Sequence, residues 1–313
     1  MTFAEYFRKH LRTLDSLKYN THRQYITIYN EYVEFCKEHG DLDLEVNDLY
    51  LSKQKQRALK NCNNHWNGYV DMLKKNNYKQ SSIRQIMSKF KAVNKAIEQT
   101  EGIKLHFPQI KLKTPTKPVW SWTPEFTEDF LKWKPEHKHR VVTGMKVQIL
   151  TCSRPIDLLK MNFKSFSKKD DGYYIQTISE KTNFIVKSLI PESIWKEAYF
   201  YADNYFNLMP YGNYFNYYED VKEITKLVAG NLATEVFDID KDGKLFTRES
   251  TVYDETTPHS LRKTGINLLL HWGIDEKTIM DNYSGHRNYK VFDEYYVSGN
   301  NKRSMDIIKS KEL

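Results

Sequence analysis

Cysteine is scarce in this chain of 313 residues. Cys36, Cys62 and Cys152 are odd in number and show no C-x-x-C spacing, which excludes a disulfide framework and a cysteine zinc site. No apolar run approaches the roughly 18 residues that a membrane-spanning helix needs. The start, Met1-Thr2-Phe3-Ala4-Glu5, lacks a signal-peptide pattern, and no repeat or low-complexity tract is evident. Together these absences predict a soluble protein of a reducing, cytoplasmic compartment, with no membrane partner. Acidic residues are missing from one stretch in particular. Residues 53–95 hold 11 Lys and Arg against the single acid Asp71. The whole chain has 48 basic and 40 acidic residues, a net charge of +8, and residues 1–110 hold 18 of the former and 12 of the latter. So one-sided a stretch attracts a phosphate backbone, although a solvated surface would carry the same composition.

What is present divides the chain in two. The first hundred residues read as helical. Thr21 is placed to cap a helix with apolar positions at Tyr25, Ile28, Tyr29, Tyr32, Val33 and Cys36, ended by Gly40. A later helix opens at Ser81 or Ser82 with Ile83, Ile86, Met87, Phe90 and Val93 as its apolar stripe. Lys74, Lys75, Lys79, Arg84, Lys89, Lys91 and Lys95 lie in or beside it and are the candidate DNA contacts. Pro108, Pro115 and Pro118, with lysines between them, forbid a continuous helix and predict a linker. The expected organisation is a helical domain over 1–107, a linker over 108–122 and a second domain over 123–313. Thr123 and Pro124 open the second domain as cap and first helical residue. A β-prone segment, Tyr173–Ile178, is followed by a turn at Lys181-Thr182-Asn183 and a second short strand. The fold class is therefore mainly α with a small antiparallel β-sheet.

Six residues of the second half have the types that phosphodiester chemistry needs: Arg154, Lys181, His259, Arg262, His286 and Tyr295. Two arginines can hold the non-bridging oxygens bidentately against the charge that develops in the transition state. A lysine on a hairpin can protonate the leaving oxygen, and histidine can move a proton or donate a hydrogen bond. Tyrosine, with an ordinary pKa of about 10, becomes a better nucleophile among cations. His259 and Arg262, three apart at a helix start, share a face. Lys187 also lies in the hairpin, and Tyr296 neighbours Tyr295, so each is a rival.

The run His259-Ser260-Leu261-Arg262, then Gly285-His286, then Tyr295 nine residues on, resembles the H-x-L-R, G-H and Tyr pattern of the tyrosine recombinase (phage integrase) family. Arg154 with Asp157 three residues later resembles the family's first arginine and its supporting acid, and Lys181-Thr182 resembles its hairpin lysine. The first hundred residues resemble its SAM-like core-binding domain. Departures are Cys152-Ser153 where the family often has Gly-Leu, Lys263 where it often has His or Arg, and Pro155 directly after Arg154. The resemblance implies a site-specific recombinase that binds duplex DNA at the nucleoid. It would cleave through a 3′-phosphotyrosine and exchange strands through a Holliday junction as a homotetramer on two DNA sites. Accessory DNA-bending proteins would be further partners. The covalent link would retain the energy of the bond, so the resemblance implies no metal, ATP or other cofactor. A type IB topoisomerase would use similar chemistry on one duplex, and a non-catalytic DNA-binding protein would explain the charge alone.

Two further features stand apart from that set. Asp238, Asp240 and Asp242 with Gly243 and Glu249 fit the D-x-D-x-D-G-x5-E calcium-loop pattern. The residues after it do not read as helical and no second loop pairs with it, so an acidic surface turn is the preferred reading. The aromatic run between Tyr199 and Tyr218 reads as core or subunit packing, with base stacking as the sharper alternative.

Overall fold

A computed structural model of the chain describes residues 2–14, 19–38, 55–102, 119–179, 183–240 and 244–293. The chain divides into two compact units, residues 1–115 with 239–244, and residues 116–238 with 245–313.

The first unit is helical, with α1 (Phe3–Thr13), α2 (Tyr19–Glu38), α3 (Lys55–Lys75) and α4 (Gln80–Glu101). Thr2 and Glu5 close α1 with a reciprocal capping box, each side chain accepting from the other's backbone N–H. α2 begins at Tyr19, before the expected cap at Thr21, and Gly40 lies outside the described residues. The apolar stripe of α4 is buried from Ile83 to Ile97, and Gly102, at φ 67°, ends the helix in the left-handed conformation that glycine adopts without strain. Phe3, Phe7, Tyr32, Trp66, Tyr69 and Phe90 interlock, mostly edge to face, with Tyr32 and Trp66 stacked at 5.6 Å. Such pairs contribute about 0.5–1.5 kcal/mol each beyond their burial.

The second unit begins with the end of the expected linker. Trp122, only 2 % exposed, donates its indole N–H to Thr256 Oγ1 at 2.7 Å, and its backbone N–H donates to Thr264 Oγ1. The remaining linker residues, 108–118, lie outside the described residues. Thr123 caps α5 (Pro124–Lys132) with Pro124 in the first turn, as its sequence predicts. α6 (His139–Thr151) is buried at every position from Val141 to Thr151, a helix enclosed by the rest of the unit. α7 (Pro155–Leu158) follows, then β1 (Phe166–Lys169), β2 (Gly172–Ile178) and β3 (Ile185–Leu189), an antiparallel sheet in that order. Tyr174 pairs with Leu189 and Ile178 with Ile185, so Ile175, Val186 and Ser188 form the buried face. α8 (Glu192–Asn204) and α9 (Tyr214–Ala229) pack beside α6.

β4 (Ala233–Ile239) and β5 (Leu245–Thr251) form a separate two-stranded sheet. The calcium-loop pattern falls here. An EF-hand loop needs flanking helices, whereas strands flank this one. Asp238 pairs with Arg248 at 3.2 Å, and Asp240 Oδ1 accepts the Lys244 N–H at 2.7 Å. Glu249 sits within β5, and Asp242 lies outside the described residues. Among the described residues no group of three His, Cys, Asp or Glu is placed to hold a metal. No helix among the described residues is long and apolar enough to cross a membrane.

α10 (Val252–Glu255) leads into α11 (Pro258–His271), with Thr257 and Ser260 as a capping box and Pro258 in the first turn. α12 (Glu276–Ile279) runs into a π turn (Met280–Ser284), and α13 (Tyr289–Phe292) follows.

Candidate active site

Two constraints bring the distant segments together. The first is Gly265 on α11. A Cβ there would lie 1.9 Å from the Ile149 carbonyl oxygen of α6, so only glycine permits this approach of the two helices. The second is the end of α6. Cys152 turns the chain at φ 48°, a left-handed conformation that favours glycine, at the position where the resembled family often has one. The turn points the Cys152 carbonyl at α11, where Arg262 Nη1 donates to it at 2.5 Å. Arg262 Nη2 donates to the Ser284 carbonyl at 2.6 Å. The guanidinium, on a residue 2 % exposed, is thus bracketed by two backbone oxygens from separate segments.

Arg154 stands at the N-cap of α7 with φ −68° and ψ 150°. That extended conformation is what a following proline imposes, so the unusual Pro155 fits as the first helical residue. Arg154 Nη1 donates to Ser179 Oγ at 2.6 Å, and buried Asp157 lies 3.6 Å from the same nitrogen. Ser179 sits just past β2, so the hairpin helps to fix this arginine.

His286 follows Gly285, which ends the π turn at φ 63° and whose Cβ would press on Val186 Cγ2 at 3.0 Å. The imidazole lies 2.8 Å from Ser284 Oγ through Nδ1, and Arg262 Nη2 is 3.3 Å from that nitrogen. Burial, then the charges of Arg262 and Arg154 and the neighbouring His259, push its pKa down to about 3. His259 is exposed at its surface, and partial desolvation, then the charges of Arg262 and Arg154, lowers its pKa as well. Arg154, His259, Arg262 and His286 therefore share one electrostatic environment dominated by two guanidinium groups. Behind it lies an apolar floor of Cys152, Ile266, Leu269, Ile279 and Phe292, the last meeting the His286 ring edge-on. Such an arrangement suits a phosphoryl group: two fixed cations, two largely neutral imidazoles, and low polarity behind them.

Lys181 and Tyr295, with their rivals' distinction at Tyr296, lie outside the described residues. Lys187 is described, on β3, with its ammonium 4.3 Å from the Tyr174 ring centre. Ser179 stands beside Arg154 and Ser284 beside His286; a lone serine in a hairpin or before a glycine carries no sequence signal of its own. Lys263 is buried, and burial holds its pKa down to about 7. The aromatic run splits: Tyr217 is fully buried, whereas Tyr205 and Phe206 are exposed and line, with Arg140, a surface cavity of about 480 Å³ that none of the four clustered residues lines.

In the first unit, Lys74, Lys75, Lys79, Arg84, Lys91 and Lys95 are exposed, and Lys89 is half-buried with its ammonium 5.7 Å from the Tyr25 ring. Arg84, Lys91 and Lys95 fall at helical spacing on one side of α4.

No family model and no curated protein matches the chain. Solved structures do. The Tn1549 transposon integrase in complex with circular intermediate DNA superposes with a TM-score of 0.63 at 16 % identity, over 94 % of this chain and 95 % of that one. XerH site-specific recombinase bound to palindromic difH substrate, a post-cleavage complex, gives 0.53 at 16 % identity, over 99 % and 95 %. A lambda integrase dimer bound to a COC′ core site gives 0.58 at 14 % identity, over 92 % and 75 %. These neighbours are tyrosine recombinases, and the fold of this chain is the tyrosine-recombinase fold.

Proposed function

We propose that the chain is a tyrosine recombinase, an enzyme that cuts and rejoins duplex DNA through a 3′-phosphotyrosine. The observation that carries this reading is the convergence of Arg154, His259, Arg262 and His286 from three separated segments, in a fold shared with DNA-bound recombinases. The Tyr295 oxygen attacks the scissile phosphorus as the bond to the 5′-oxygen breaks. Arg154 and Arg262 hold the non-bridging oxygens; Asp157 and Ser179 orient the first, the two carbonyls the second. His259, neutral at pH 7 because its pKa is depressed, accepts the tyrosine proton. His286 is neutral too. Assigning the ring proton to Nε2 makes Nδ1 the acceptor from Ser284 Oγ and Nε2 a donor to a phosphoryl oxygen. Lys181 gives the departing 5′-oxygen its proton. Attack by a 5′-hydroxyl of a second duplex reverses these transfers and regenerates Tyr295, and a homotetramer on two sites would carry both exchanges through a Holliday junction.

Affinity for DNA comes in part from the first unit, where Arg84, Lys91 and Lys95 form the phosphate-contacting row, with Lys74, Lys75, Lys79 and Lys89 nearby. The test is covalent trapping. Incubated with nicked duplexes drawn from DNA flanking its own gene, the protein should form an adduct that survives denaturing electrophoresis. Tyr295→Phe should form none while binding the same DNA. An adduct that persists in Tyr295→Phe would transfer the nucleophile to Tyr296 or overturn the tyrosine mechanism.

A further inference from the structure

Gln148 is a fully buried amide in the apolar run Val147-Gln148-Ile149-Leu150 of α6. Its Nε2 donates to two backbone carbonyls, Pro258 at 2.8 Å and Ser153 at 3.2 Å. Its Oε1 accepts the hydroxyl of Tyr217, itself buried in α9. Both Nε2 hydrogens are therefore used, and the opposite amide orientation would turn Oε1 against two carbonyl oxygens, so the network fixes which atom is which. Ser153 immediately precedes Arg154, and Pro258 immediately precedes His259. We propose that Gln148 is a positioning residue for the phosphate site, tying the backbone before Arg154 to the backbone before His259 and so setting the spacing of the two side chains. The inference rests on the strand-transfer reading for its catalytic consequence, though not for its geometry.

The amide's chemistry separates this role from simple core filling. Methionine has similar length and volume but donates nothing, so Gln148→Met leaves two buried carbonyls and the Tyr217 hydroxyl without their partner. Glutamate restores one donor only when protonated. Ionised, it would set a carboxylate against the same two carbonyls; protonated, its O–H can donate to one of them.

The test follows inorganic phosphate binding through the imidazole resonances of the intact protein, in parallel with adduct formation on the nicked duplexes. Displacement of positioning groups by about 1 Å costs on the order of a hundredfold in rate. Gln148→Met should lose that much in adduct formation, with weaker phosphate binding and unchanged affinity for duplex DNA. Gln148→Glu should match the methionine variant where its carboxyl is ionised. Its phosphate affinity, taken as a ratio to wild type at each pH, should recover as the pH falls. A ratio flat with pH, or a methionine variant that binds phosphate like wild type, overturns the proposal. If the methionine variant does not fold, the pH dependence of the glutamate variant decides. Adducts that need Tyr295 but ignore Gln148 would sink the positioning role and keep the strand-transfer reading. The Gln148 pattern in phosphate binding, with no adduct on any duplex, would do the reverse. A wild-type protein that binds no phosphate contradicts both.

Discussion

At the scale of single residues the site is a contest between burial and charge, and burial wins at His286. Its folded pKa of about 3 lies far below the ordinary histidine value of about 6.5. Between those values the unfolded chain holds a proton that the folded chain refuses. His286 therefore contributes stability that is fully present above about pH 6.5 and is lost as the pH falls toward 3. Denaturant titrations should show the midpoint dropping with acidity over that window, and His286→Gln should show less of the drop; equal drops would contradict the assignment. A bound phosphoryl group adds negative charge beside the two imidazoles, so phosphate binding should raise both their pKa values and take up protons. Arg262 shows the same logic from the donor side. Its guanidinium is held by carbonyls of Cys152 and Ser284, so most of its geometry is set by backbone. That support is invisible in the motif, which records the arginine and not what it grips.

At the scale of elements the decisive contact is α11 against α6. Gly265→Ala would drive a methyl group into the Ile149 carbonyl, and the helices must part to admit it. Overpacking of this kind costs about 1–3 kcal/mol, so urea unfolding of Gly265→Ala should shift to lower midpoint, and adduct formation should fall because Cys152 withdraws from Arg262. Normal stability and activity would mean that the approach is looser than described. Much of this level could be read in the sequence. Thr123-Pro124 marks a helix start by its chemistry, and Tyr173–Ile178 marks a strand by β-prone residues, so local rules suffice. The β4–β5 sheet was hidden because Asp238, Asp240 and Asp242 serve a calcium loop and a turn equally well in sequence; the flanking residues decide, and the exposed apolar residues Phe237, Leu245 and Phe246 obscure their alternation. Gln148, Ser179 and Ser284 were hidden for a different reason. Their partners are backbone groups or side chains that only tertiary structure brings near, and the periodicity of a sequence does not register a carbonyl.

At the scale of the whole molecule, charge is the property that composition reports most directly. The row Arg84, Lys91 and Lys95 is a hypothesis about where that charge meets phosphate. Each phosphate contact removed should lower the slope of log affinity against log salt by about 0.9, so replacing all three by alanine should flatten it by about 2.7 while leaving sequence preference intact. An unchanged slope would move the contacts elsewhere. The bracket around Arg262 has a consequence in time. Cys152 lies 110 residues before that arginine and Ser284 lies 22 after it. At roughly 5–20 residues per second of synthesis, the first unit can close its aromatic core long before the ribosome delivers the second guanidinium, and that group then waits again for its last carbonyl. On the proposed function, a nascent chain thus acquires a folded, basic surface well before it acquires the means to break a strand, so premature encounters with DNA would end in binding and not in damage.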